Sequence, residues 1–197
     1  SMKKLSTYLF LLLFSFQTSS QADDIRDFQI EGMSVGDSLL DYFSEEEIND
    51  NRIKIYNDNT FLPSEFKNFP FFKIYDVLQI NYKSNNKKFI IHSISGIIYY
   101  KNDIKNCERK KNEIVDELSE LFKNEKITDE GNRIHPSDEK SVVTNVILDL
   151  GEKDGHFSDN VTVSCFDLSV ESGFIDQLRI GIKTLEYDKW LFEKAYK

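Results

Sequence analysis

The sequence predicts an α+β fold: a mostly antiparallel sheet with one long amphipathic helix packed on it, and a helix-then-hairpin arrangement occurring twice. Three observations lead there. Leu78, Ile80 and Tyr82, then Val146, Leu148 and Leu150, then Leu178, Ile180 and Ile182 alternate with other side chains at the period of half-buried strands. Ile104, Cys107, Ile114, Leu118 and Leu121 fall three, four or seven apart, the stripe of a helix lying on a sheet. Strands and helices do not alternate strictly, which favours antiparallel pairing over a doubly wound parallel sheet.

The elements follow in order. Asp27 to Gly32 reads as a short first strand. Ser34 to Phe43 reads as a helix, with Ser34 as cap, Asp37 at capping-box spacing, and Leu39, Leu40 and Phe43 as its buried stripe. Ser44 and Glu47 repeat that spacing, so Glu45, Glu46 and Glu47 are expected to favour a helix N-terminus rather than to bind a metal. Arg52 to Tyr56 reads as a strand ending at an Asn/Asp turn. Phe61 to Phe72 concentrates Phe61, Phe66, Phe69, Phe71 and Phe72 around Pro63 and Pro70. The prolines argue for a loop, not a helix or central strand.

Tyr75 to Tyr100 reads as a β-hairpin turning at "KSNNKK", with Gly96 marking a bulge or a close crossing. In the helix that follows, Lys110, Lys111, Glu113, Asp116, Glu117 and Glu120 form the polar side. Asn124 to Lys140 has no core pattern and reads as a connection. Val142 to Leu150, a turn at "GEKDG", a strand with Val161, Val163 and Cys165 on one face, and the strand 178–183 complete the sheet. A short closing helix from Tyr187 can dock Trp190 and Leu191.

The N-terminus has the three parts of a secretory signal peptide. After Ser1, set aside as a cloning scar, come Met2, Lys3 and Lys4, the apolar run Tyr8 to Phe16, and small residues at Ser20 and Ala22. The apolar run falls short of the roughly 20 residues that span a bilayer. Residues 1–22 are expected to be removed, leaving 23–197 as a single, soluble α+β domain with no membrane insertion. The whole chain carries −9, and loss of Lys3 and Lys4 makes the mature chain more acidic still. That balance argues against nucleic acid and against docking on anionic lipid.

Abundant Lys, Asn, Ile, Phe and Tyr, with three prolines and one tryptophan, is the residue usage of an AT-rich genome. With "MKKLSTYLFLLLF" and "FQIEGMSVGDSLLDYFSEEEI", the chain resembles small uncharacterised exported proteins of AT-rich marine alphaproteobacteria, a group of no known activity. The resemblance implies a periplasmic setting and carries over no catalytic residue.

Cys107 lies on the inner side of the helix and Cys165 on the apolar face of a strand. Two cysteines in an exported chain are expected to form one disulfide, Cys107–Cys165. It closes a loop of about 58 residues, worth roughly 4 kcal/mol in the chain-entropy model. No CxxC or CxxH spacing supports a metal site.

No HExxH, Walker loop or GxGxxG occurs. His92 reads as a core histidine, and His135 and His156 as loop residues. Asp149 to Asn160 reads as a hairpin turn, because its spacing fails that of a calcium loop. No cofactor and no metal are implied. The expected function is a periplasmic binding or protein-interaction module. Phe61, Phe66, Phe69, Phe71 and Phe72 are its candidate contact with another envelope protein or an apolar small ligand, if they do not fill the core instead. The alternative is a small hydrolase using acidic residues and His92 or His156.

Overall fold

The computed structural model describes residues 24–135 and 138–197. The predicted signal peptide, 1–22, lies outside the described residues. The strands are β1 (Phe61–Lys67), β2 (Val77–Lys83), β3 (Ile91–Tyr99), β4 (Lys126–His135), β5 (Asp138–Asp154), β6 (Phe157–Asp167) and β7 (Gln177–Lys183). The helices are α1 (Glu45–Asp50), α2 (Ile104–Leu121) and α3 (Leu185–Glu193). The strands form one sheet in the order β1-β2-β3-β7-β6-β5-β4, with every neighbouring pair antiparallel. Two meanders, β1 to β3 and β4 to β7, are joined where β7 pairs with β3, and α2 carries the chain between them. Among the described residues no helix is long and apolar enough to cross a membrane.

The apolar core lies on one face. Residues opposite one another across a ladder share a face, so the register lines up Phe66, Leu78, Ile180 and Val163, with Ile80, Ile94, Ile182 and Val161 beside them. Cys107, Ile114 and Leu118 of α2 pack in the same cluster, as do Ile25, Phe28, Ile30, Met33, Val35 and Leu39 of the N-terminal segment. The disulfide Cys107–Cys165 ties α2 to β6, with Cα atoms 6.0 Å apart.

Lys111 departs from the expected polar side. It stands on the buried stripe between Cys107 and Ile114, 5% exposed, with Nζ 2.7 Å from Glu108. Its aliphatic stem covers apolar surface while the ammonium reaches a carboxylate. Leu121, placed on the inner stripe by spacing, is instead exposed at the last turn.

Other expectations are corrected. Asp27 to Gly32 makes only a bridge between Ile30 and Met33, and Arg52 to Tyr56 only a bridge between Arg52 and Ser64. The helix expected over Ser34 to Phe43 is a single 3-10 turn, Leu39–Asp41. Asp37 caps backward: its carboxylate accepts from Ser34 N and from the Tyr42 hydroxyl, at 2.9 and 2.8 Å. The Ser44–Glu47 capping box at α1 is formed in both directions.

The Phe-rich segment is not a loop throughout, since Phe61 to Lys67 is edge strand β1. Pro63 is tolerated because, in an antiparallel ladder, a residue's N–H and C=O point to the same side. The Pro63 carbonyl accepts from Ile53 N at 3.0 Å, on the side away from β2. The missing N–H therefore breaks no ladder bond.

Asn124 to Lys140, expected to be a connection, contains β4 and the start of β5. As an edge strand, largely exposed, β4 needs no apolar face, so no alternation marked it. The hairpin turn falls at Gly155 and His156, with Asp154 opposite Phe157, and Gly151 (φ +63°) sits at a register shift within β5. Gly96 is neither a bulge nor a helix crossing. The Tyr75 ring lies on it, 2.4 Å from where a Cβ would stand.

Candidate functional site

The register that builds the apolar face sends the alternate residues to the other. One row there runs Glu65, Gln79, Ser95, Gly181, Thr162 across β1, β2, β3, β7 and β6. The next row towards Tyr99 runs Ile97, Arg179, Ser164, Asn145, and the next the other way runs Asn81, Ser93, Lys183, Asn160. Gln79, Asn81, Ser93, Ser95, Asn160, Thr162 and Ser164 are all buried. This is unusual for a sheet face, because buried polar side chains cost free energy unless their hydrogen bonds are met. Gly181 keeps the middle of the floor flat: a Cβ there would stand 2.8 Å from Thr162 Oγ1 and 3.2 Å from Ser95 Oγ.

One end of this face is closed by the C-terminus. Thr184 caps α3 by accepting from Tyr187 N at 3.3 Å. Tyr187, Trp190 and Ala195 then bury against Tyr56 and Phe61 in a second, smaller cluster. The Tyr56 and Tyr187 hydroxyls lie 2.6 Å apart, and the Tyr56 hydroxyl donates to Asn81 Oδ1 at 3.4 Å. Trp190 Nε1 donates to Asp58 Oδ1 at 2.6 Å. Burial pushes the Tyr56 phenol up to about 12 and raises that of Tyr187 well above its ordinary value.

Arg179 is the central cation. Its Nη1 donates to Gln79 Oε1 at 3.0 Å, and the guanidinium lies 5.5 Å over the Phe166 ring. Its Nε is buried without a hydrogen-bond partner, and among the described residues no carboxylate stands within ion-pair distance of it. Burial lowers its pKa from the ordinary value, against the opposing fields of Tyr56, Tyr187 and Glu65. Glu65 is itself held by Lys67 at 2.8 Å. On the β5 side Ser164 Oγ donates to Asn145 Oδ1 (2.6 Å), Asn145 Nδ2 donates to Glu130 (2.7 Å), and Glu130 pairs with Arg133 at 2.7 Å. Lys183, four residues along β7 from Arg179, stands 4.0 Å from Asp188; burial lowers the pKa of the first and raises that of the second.

The five phenylalanines do not share one place. Phe61 and Phe66 have opposite parity on β1. Phe61 packs with Tyr187 and Trp190, 5.3 and 4.9 Å between ring centroids, on the polar side. Phe66 is fully buried in the main core, stacked on Phe43 at 3.9 Å. Phe69 and Phe72 are partly buried against that core, and Phe71, 38% exposed, touches both.

The histidines are likewise dispersed. A register shift opposite Asn81 and Tyr82 makes His92 the extra residue of a bulge and turns it toward Phe61 rather than into line with Ile94. Its Nδ1 lies 3.4 Å from Thr184 Oγ1 and 3.7 Å from Glu186. His156 packs on Phe157 and Phe192, and His135 near Phe166. Among the described residues no group of three or more His, Cys, Asp or Glu is arranged to hold a metal.

Two cavities lie elsewhere. One, about 360 Å³, is bounded by Asp24, Arg26, Gly36, Asp159 and Thr184. The other, about 310 Å³, lies between α2 and the β4–β5 hairpin and is bounded by Glu108, Lys111, Asp129, Thr144 and Asp167.

Sequence reasoning missed Arg179, Gln79, Ser95 and Thr162. The signal was present in the non-apolar parity of β2, β3 and β6, which carries Ser, Thr, Asn and Gln where a solvated face more often carries long charged side chains. Comparison with protein-family models, with curated proteins and with solved structures finds no match to the chain.

Proposed function

We propose that the protein is a binding module of the cell envelope, exported to the periplasm, that holds a small polar ligand on the face built by Gln79, Ser95, Gly181, Thr162 and Arg179. The observation that carries this reading is the burial of short hydroxyl and amide side chains in one continuous floor across four strands. A face with only a structural role is more economically apolar under a helix or long-chained and charged in water. The floor rests on a rigid sheet whose back is the apolar core, which suits a preformed site. Export agrees with the N-terminal pattern and with the disulfide. In the same frame we read α2 as the amphipathic cover of the apolar face, and the strands that follow α1 and α2 as the helix-then-hairpin arrangement occurring twice.

The test is a backbone NMR titration of the oxidised protein against polar metabolite-sized probes. The reading expects shifts confined to amides of residues 79, 95, 162, 179 and 181. Shifts confined to residues 69–72 would replace it with a second reading, in which the rings of Phe69, Phe71 and Phe72 meet another envelope protein or an apolar ligand. That reading is favoured by the exposure of Phe71 within a ring cluster. The hydrolase alternative rests on His92 beside Thr184 and Glu186. An ester or peptide turnover lost in His92→Ala would support it.

A further inference from the structure

Resting on that reading, we propose that the ligand is a carboxylate and that Arg179 binds it. The chain is strongly acidic, yet a guanidinium stands within the polar floor, on β7 between Ile97 and Ser164. Of the other four arginines three are answered by acids, Arg26 by Asp24, Arg109 by Glu113 and Arg133 by Glu130, while Arg52, exposed to solvent, donates to the side-chain amide of Asn49. Arg179 has instead a neutral amide at Nη1 and an aromatic face beneath it, with Nε unpartnered among the described residues. A buried cation without a counter-ion is costly, and a charge left so in an acidic protein marks a place where an anion from outside completes the pairing. Glu65, the acid whose field reaches Arg179, is occupied by Lys67.

The chemistry of the surroundings selects among anions. A guanidinium presents parallel N–H groups in one plane, which match the two oxygens of a carboxylate. The Phe166 ring lies against the guanidinium, 5.5 Å from its centre, and supports it from one side. Gln79 holds Nη1 from the β2 side, so orientation is set before binding. Ser95 and Thr162 hydroxyls flank Gly181 on the adjoining row, where they can donate to a polar group carried by the same molecule.

The experiment titrates the oxidised full chain at fixed ionic strength with succinate and glutarate, with their neutral isosteres succinamide and glutaramide, with inorganic phosphate, and with maltose. Amide shifts at residues 95, 162, 179 and 181 are followed in the parent, Arg179→Lys and Arg179→Gln. The proposal expects the carboxylates to move these amides and the neutral isosteres to leave them still, with affinity at least tenfold weaker in Arg179→Lys, which keeps the charge and loses the fork. If the variants fail to fold, the comparison of carboxylate with isostere on the parent protein decides. Movement by maltose or by the neutral isosteres as strong as by the carboxylates would overturn the carboxylate and leave the polar site standing. Phosphate binding more tightly than either carboxylate would also overturn it. No response of the face to any probe would remove both the carboxylate and the polar-ligand reading.

Discussion

The hydroxyl oxygens of Tyr56 and Tyr187 lie 2.6 Å apart, joining residues 131 positions distant in the chain. This contact fastens the C-terminal helix α3 to the segment before β1 and closes one end of the polar face. Its electrostatics predict an alkaline transition. Burial raises the Tyr56 phenol from 10 to about 12, so the folded state keeps a proton that the unfolded state has lost. The stability this gives is fully present below pH 10 and disappears as pH rises through about 12. Chemical denaturation at stepped pH is expected to show that loss, and Tyr56→Phe is expected to flatten it. An equal slope in both proteins would mean that other groups govern alkaline unfolding.

Reduction of Cys107–Cys165 is expected to cost about 4 kcal/mol of stability, from the chain entropy released when a long loop is opened. The separation of 58 residues sets that scale. The denaturation midpoint with and without reductant measures it. A cost below about 1 kcal/mol would indicate that the unfolded chain is already compact without the bond.

Glu31 anchors the N-terminal segment electrostatically. Its carboxylate accepts from the backbone N–H of Lys73, Ile74 and Tyr75 at 2.8 to 3.0 Å. Three successive amides converging on one anion form a nest. Glu31→Ala is expected to destabilise the protein by about 1–3 kcal/mol, the cost of unpaired donors. Hydrogen exchange at residues 73–75 should accelerate while that of β6 and β7 holds.

Gly96→Ala is expected to be among the more harmful single substitutions, because the Tyr75 ring occupies the space a methyl would need. Overpacking of this kind costs about 1–3 kcal/mol. A double-mutant cycle makes the cause visible. With Tyr75→Ala already in place, the added methyl should cost little, and additive penalties would point to backbone strain instead.

His92 predicts an acid-side effect. Burial lowers its pKa below 6.5, against the pull of Glu186. The unfolded chain therefore takes up the proton first as pH falls. The contribution is present above pH 6.5 and lost on acidification through the lower folded value. His92→Gln should reduce the slope of stability between pH 6.5 and 5, read by thermal unfolding in matched buffers.

What the sequence by itself determined is local and periodic. The turn-to-turn repeat of Ile104, Cys107, Ile114 and Leu118, the alternation along β2, β6 and β7, and the Ser44–Glu47 box each state their own geometry. The pairing of Cys107 with Cys165 was expected from two cysteines on inward faces of a helix and a strand, which allow the sulfurs to meet when that helix packs on that sheet. Tertiary structure alone decided the rest. Phe61 to Lys67 becomes a strand because β2 has an edge to offer and Pro63 can face outward. Lys126 to His135 becomes one because β5 can pair with it, and pairing supplies hydrogen bonds without demanding an apolar face. The polar floor was legible only in part. Its short uncharged residues mark single strands, but only the placing of β7 between β3 and β6 brings Arg179, Gln79, Ser95 and Thr162 together. Strand order depends on contacts far apart in sequence, which leave no period in the chain to read.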